Sequence, residues 1–202
     1  AKRKFLFFPI IQKDQDFRLL LENALPVSKI LEDTYHLEGR QVLLFVGRLI
    51  DIKNLFFLLD ALALVVNRYP KVILLFVGDG DQRVALERHA ERNGLADHVI
   101  FAGKKQGEDL YACYNVGQIF VLPSYYERFG AVVNEALLAG CYTLCSVVAG
   151  AACLIEPQKN GDLFDPASKT YLAEKLAQSL KDCEGLKQIS LKANKMCYRS
   201  EE

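Results

Sequence analysis

The chain has 202 residues, 51% of them hydrophobic and 25% charged, a length and composition that suit one globular domain with an appendage and exclude global disorder. Lys plus Arg number 25, as do Asp plus Glu, so there is no global basic field for nucleic acid or an anionic membrane.

The chain opens on Ala1, Lys2, Arg3 and Lys4, but Pro9 interrupts the apolar run that follows, so no secretory leader is expected. Residues 1–39 carry Pro9, Pro26 and two short helix-like stretches, 17–24 and 28–35, and read as an interdomain connection or appendage. From Val42 the pattern changes. Apolar runs at 42–46, 72–77, 99–102, 118–122 and 142–147 read as strands. Between them lie segments of helical length at 54–69, 82–93, 107–114 and 131–139, stopped by Pro70, Gly94 and Gly140. In the second helix Val84, Leu86 and Ala90 are expected to point inward. Strands apolar on both faces belong to a parallel sheet covered by helices on both sides. The spacers are long enough for right-handed crossovers. The fold class is therefore α/β, a doubly wound, Rossmann-like parallel sheet flanked by helices.

Beyond Val148 a short strand is expected before the turn at Asn160-Gly161. A helix then follows, capped by Asp165 with Pro166 in its first turn, its stripe made by Tyr171, Leu172, Leu176 and Leu180. The domain spans 40–183, and 184–202 form a helical tail. The longest apolar stretch, 55–66, contains Asp60 and is too short to span a bilayer. The six cysteines, Cys113, Cys141, Cys145, Cys153, Cys183 and Cys197, show no CxxC spacing and no zinc-like pairing with His. They read as reduced thiols of a cytoplasmic protein, with no metal site.

Ligands of such sheets bind beyond the carboxyl ends of the strands. The first strand leads to Gly47, Arg48 and Lys53, a sharp turn with a planar fork and a point charge, suited to a phosphate or diphosphate. Two solvated surface cations explain the same spacing equally well. The second strand leads to Gly78-Asp79-Gly80, which is neither a P-loop nor a GxGxxG fingerprint. It reads as a strand-to-helix turn with backbone near a ligand. The third leads to Gly103, Lys104 and Lys105. After the fourth, Glu127 and Glu135 flank a helix start at Gly130, where N–H groups from Phe129 through Ala131 to Val132 lack intrahelical partners. An anion fits there, with a carboxylate to each side for hydroxyls; a loop charge and a surface charge on the helix are the plainer reading. His36, His89 and His98 fall in no catalytic arrangement.

Taken together, Leu44-Phe45-Val46-Gly47-Arg48-Leu49 with Lys53, Phe76-Val77-Gly78-Asp79-Gly80, Val121-Leu122-Pro123-Ser124, Glu127-Arg128-Phe129-Gly130 with Glu135-Ala136 and Gly140, and Asn160-Gly161 resemble the carboxy-terminal domain of retaining family 4 glycosyltransferases of the GT-B fold. The resemblance runs from about Val42 to Leu180. It implies a nucleotide-diphosphate-sugar donor, with a uridine nucleotide preferred over guanosine, and no cofactor or metal. Arg48 and Lys53 would hold the diphosphate and balance charge on the leaving group. Glu127 would sit beside the donor sugar, and Glu135 would take the ribose hydroxyls. Phe129 and Gly130 would lend backbone, and the base would lie near Gly103 to Gln106.

There are two departures. Gly150-Ala151-Ala152-Cys153-Leu154 stands where the family often has Gly-Gly-x-Pro-Glu, and no segment can supply the family's amino-terminal acceptor domain. The chain is thus expected to be the donor-binding half of a hexosyltransferase of polysaccharide assembly, inactive alone, its partners a nucleotide sugar and the other half of the enzyme. Peripheral contact with the inner face of a membrane would belong to the full enzyme, with a small contribution from Lys2-Arg3-Lys4. A nucleotide-binding module that has lost catalysis is the alternative, as is another GT-B enzyme such as a nucleotide-sugar epimerase. A pyridoxal-type phosphorylase lacks its Schiff-base lysine here.

Overall fold

The computed structural model describes residues 14–197, with side chains for 16–192. Lys2-Arg3-Lys4, Pro9 and the side chain of Cys197 lie outside the described residues.

Six strands run parallel: β1 (Gln41–Val46), β2 (Val72–Val77), β3 (Val99–Gly103), β4 (Ile119–Leu122), β5 (Tyr142–Ser146) and β6 (Gly161–Phe164). Their order across the sheet is β3-β2-β1-β4-β5-β6. The helices are α1 (Asp14–Asn23), α2 (Leu25–Thr34), α3 (Leu55–Ala63), α4 (Arg83–Arg92), α5 (Glu108–Val116), α6 (Ala131–Leu138), α7 (Lys169–Ser179) and α8 (Cys183–Cys197).

The central strands are apolar at nearly every position because helices cover both faces of the sheet. Phe45 meets Phe76 edge to face at 5.7 Å, and Phe76 stacks on Phe101 at 5.1 Å. Phe57 of α3 stacks on Phe164 of β6. Of these rings Phe45, Phe76 and Phe164 are fully buried, and each contributes about 1.5–3 kcal/mol. β3, at one edge, is only half-buried. The first two helices join this core: Phe17, Leu21, Ala24 and Leu31 are buried, and Asn115 of α5 donates to Leu21 O and to Ser28 Oγ. At the other end α8 docks through Lys187, which donates to the carbonyls of Asn115 and Gly117, and through Ser190, which donates to Cys141 O. Burial pushes the thiols of Cys113 and Cys145 up to about 12 and that of Cys141 to about 11, so all three stay protonated.

Several expected details fall elsewhere. Val84 is exposed: it lies about 200° around the helix from Leu86, whereas Leu86 and Ala90 share a face. The segment 150–154 is a 3₁₀ turn, and the strand follows Asn160-Gly161 instead of preceding it. The cause is the buried side chain of Asn160, which accepts from Glu156 N and donates to Leu154 O. It closes a loop that delivers Gly161 onto β5. Asp165 closes a local turn by accepting from Ala167 N, and Ser168 caps α7 by accepting from Tyr171 N. Tyr171 itself is exposed at the start of that helix. The helix expected over 54–69 is α-helical only to Ala63 and ends in turns.

The strand ends are as closely fitted as the core. Beyond β1 and β2 the pairing continues: Gly47 N donates to Val77 O and Leu49 N to Asp79 O. A Cβ on Gly78 would stand 1.8 Å from Gly47 O, and one on Gly80 would stand 2.3 Å from Leu49 O. These glycines let one turn lie flush on the other. Gly78→Ala is expected to destabilise the domain by about 3 kcal/mol, a fall in Tm of about 6–12 °C. Gly94→Ala, at a left-handed turn with open space around it, is expected to cost only about 1 kcal/mol. Equal losses in thermal melts would refute the close-approach argument.

Candidate nucleotide-sugar site

At the centre of the sheet the chain turns in opposite directions from β1 and β4, which opens a crevice beyond their carboxyl ends. Two loops form its walls, residues 47–54 and 123–130. Tyr125 N donates to Ile52 O at 3.2 Å, and the Tyr125 hydroxyl donates to Asp51. Lys53 Nζ donates to Glu127 Oε2, in a pair whose side chains are only 14% and 16% exposed. Lys53 ends a 3₁₀ turn, and Asn54, in the left-handed region at φ 57°, starts α3 from there. Asn54 also donates to Pro166 O at 3.1 Å, fixing this wall to the loop before α7.

Arg48 projects from the flush pair of turns, exposed; its carbonyl accepts from Ile50 N, and its guanidinium has no hydrogen bond or ion pair among the described residues. Gly78 N donates to Gly103 O, so the turns beyond β1, β2 and β3 form one continuous shelf. Gly47, Gly78 and Gly80 build that shelf. Lys104 is exposed and Lys105 half-buried at its end.

On the other wall Gly130, at φ 80°, is the residue before α6 and is buried, whereas Phe129 is 65% exposed and Ala131 is exposed. The carbonyl of Glu127 accepts from Gly150 N at 2.9 Å. A Cβ on Gly150 would stand 2.0 Å from Arg128 O, so the variant segment after β5 braces the Glu127 loop from behind. Cys153, where the family often has Pro-Glu, is exposed.

Glu135 lies on the second turn of α6, half-buried. The hydroxyl of Tyr114, fully buried on α5, donates to its Oε2 at 2.6 Å. Burial raises the carboxyl above its ordinary range, and the tyrosine bond opposes that rise. Sequence spacing links Glu127 to Glu135 but gives no hint of Tyr114, which is far away along the chain. It also gives no hint of the Tyr125–Asp51 clasp. Ser124, in the loop just after β4, is buried with its hydroxyl unpartnered among the described residues.

The structure thus brings Arg48, Lys53, Glu127 and Gly130 to one end of the sheet, on the two sides of one crevice, with Glu135 one turn further along α6. The histidines stand apart: His89 bonds Asp60 at 2.7 Å on the helical layer, and His98 bonds Val72 O at the opposite end of the sheet. Among the described residues no group of three or more His, Cys, Asp or Glu converges as a metal site, and no helix is long and apolar enough to cross a membrane.

Residues 28–196 match the family described as Glycosyl transferases group 1. An uncharacterized glycosyltransferase of Methanocaldococcus jannaschii is 32% identical over 145 residues, 72% of this chain and 37% of that protein. Among solved structures, HepE of Anabaena in complex with UDP superposes with a TM-score of 0.76 at 26% identity, covering 85% of this chain and 48% of that one. The C-terminal domain of a glycosyl transferase group 1 protein (LpcC) from Francisella tularensis shares the fold, with a TM-score of 0.72 at 21% identity, covering 83% of this chain and 92% of that one. The chain spans roughly a third of the length of the curated relatives it matches. With most of its length matched and its motifs gathered at one crevice, this chain belongs to the glycosyl transferases group 1 family.

Proposed function

We propose that this chain is the donor-binding, carboxy-terminal half of a retaining GT-B glycosyltransferase of family 4, which moves a hexose-type sugar from a nucleotide diphosphate to an acceptor hydroxyl. The observation that carries the reading is the ion pair of Lys53 and Glu127 across the crevice, with Arg48, its guanidinium unpaired among the described residues, exposed on the same loop as Lys53. The UDP seen in the similar HepE structure supports a uridine diphosphate as the bound group.

In this reading the diphosphate offers Lys53 a second anion and Arg48 a first one. Lys53 then lies between the phosphates and Glu127, and Glu127 is left beside the sugar. As the anomeric carbon–oxygen bond breaks, negative charge grows on the leaving diphosphate. Arg48, Lys53 and the N–H groups at the start of α6 already face that charge, so little reorganisation is needed. Phe129, Gly130 and Ala131 supply those N–H groups. Glu135 accepts from the ribose hydroxyls, and the base lies along Gly103, Lys104 and Lys105. The acceptor is held by the other half of the enzyme, the half that also touches a membrane surface. Free thiols at Cys113, Cys141, Cys145, Cys153 and Cys183 support a cytoplasmic setting.

One feature favours a second reading, a nucleotide-binding module without catalysis: the segment 150–154 lacks the family's Pro-Glu. Two experiments decide. Calorimetric titration of the chain with UDP, GDP and ADP is expected to show UDP binding, weakened about 10- to 100-fold by Arg48→Ala, as befits one charge-assisted contact. Retained affinity in the variant would remove Arg48 from the site. In the full-length enzyme Glu127→Ala is expected to lower transfer at least about 100-fold, and the 202-residue chain alone is expected to transfer no sugar. Unchanged activity in the variant would favour the second reading.

A further inference from the structure

Tyr114 is one of the largest fully buried side chains, and its hydroxyl is spent on Glu135 of α6. From this geometry we propose that Tyr114 is the positioning residue for Glu135, its hydroxyl fixing Oε2 so that Oε1 is presented to the ribose hydroxyls of the nucleotide. The proposal rests on the reading of Glu135 as the ribose ligand.

The ring has no freedom to swing. Phe17 of α1 meets it edge-on at 6.3 Å, and Phe120 of β4 packs against it at 6.4 Å. The next residue, Asn115, ties α5 to the carbonyl of Leu21 and the hydroxyl of Ser28. A tyrosine has two side-chain torsions, and packing fixes both, so the O–H reaches a defined point at the side of α6. The bond to Glu135 is 2.6 Å, within the range for a hydroxyl donating to a carboxylate.

The donor role is also fixed chemically. Burial, with the charge of Glu135 beside it, holds the Tyr114 hydroxyl well above the ordinary phenol range. It therefore stays protonated and donates at any working pH. The neighbouring thiols of Cys113 and Cys141 are protonated too, and Glu135 has no ion pair to Lys or Arg among the described residues. Among the described residues the tyrosine is thus the partner that favours the charged, accepting form of this carboxylate. Oε1 has no partner among the described residues and is not a buried orphan, so it keeps its capacity to accept from a ligand hydroxyl. Without the hydroxyl, a half-buried carboxylate loses its anchor and either rotates or takes up a proton. Both changes weaken it as an acceptor for ribose.

The test compares UDP with 2′,3′-dideoxy-UDP, which lacks the ribose hydroxyls, by calorimetric titration of the wild-type chain, Tyr114→Phe and Glu135→Gln. Tyr114→Phe keeps the ring and its packing. It is expected to weaken UDP about tenfold and to change dideoxy-UDP less than about twofold. Glu135→Gln is expected to erase most of the preference for UDP. A merely structural tyrosine would lower both affinities together, and that outcome, or no change in either, overturns the proposal. If Glu135→Gln leaves the preference intact, the ribose reading of Glu135 fails and the proposal falls with it. Absence of UDP binding by the wild-type chain overturns both. Should Tyr114→Phe be partly unfolded, the ratio of the two affinities still decides, because loss of folded chain lowers both by the same factor.

Discussion

Only two register pairs, Leu43 with Ile119 and Leu44 with Phe120, join the two halves of the sheet. Everything at the crevice depends on this short seam between β1 and β4. Side chains and loop backbone extend it at both ends. At the amino-terminal end Gln118 donates its N–H to Val42 O and accepts from Val42 N through Oε1. At the carboxyl end Tyr125 N reaches Ile52 O, and Lys53 reaches Glu127. The crevice therefore exists because the backbone seam stops early and side chains take over its work.

That arrangement has an electrostatic cost and a use. Lys53 and Glu127 are largely shielded from water, so each has lost hydration that the other restores only in part. Removing one partner would leave an uncompensated charge in the crevice. Bringing a second anion would instead complete the surroundings of Lys53. A pair of this kind holds the two walls in register and stays responsive to an anionic ligand. The guanidinium of Arg48, exposed on the flush turns and unpaired among the described residues, has no such internal balance to give up.

Much of this was legible in the sequence, for physical reasons that can be named. Continuous apolar runs such as 72–77 mark strands buried on both faces, and the turns after them point to one end of a parallel sheet. Arg48, Lys53 and Glu127 could be placed there because each lies in the loop that follows a strand, and Glu135 because it sits on the second turn of the helix that such a loop begins. Contacts between distant segments were not legible. Tyr114 sits in a helix that reads as core, and nothing local says that its hydroxyl meets Glu135. Phe17 is polar-flanked and close to the start of the chain, yet it packs on Tyr111 and Tyr114. Asp165 looked like a helix cap because Asp-Pro commonly begins one; Ser168 won because the Asp side chain was already committed to its own turn.

The seam also dictates when the crevice comes into being as the chain folds. Lys53 and Glu127 are separated by 74 positions, and closing a loop of that length costs about 4 kcal/mol of chain entropy before any contact repays it. The neighbours β1 and β2 can pair across a far shorter crossover, as can β4 and β5. Each half-sheet can therefore organise around its own helices first, and the crevice is assembled only when the halves meet. A ligand bound across this line would bridge the last junction to close, and so would add stability where the chain is slowest to commit.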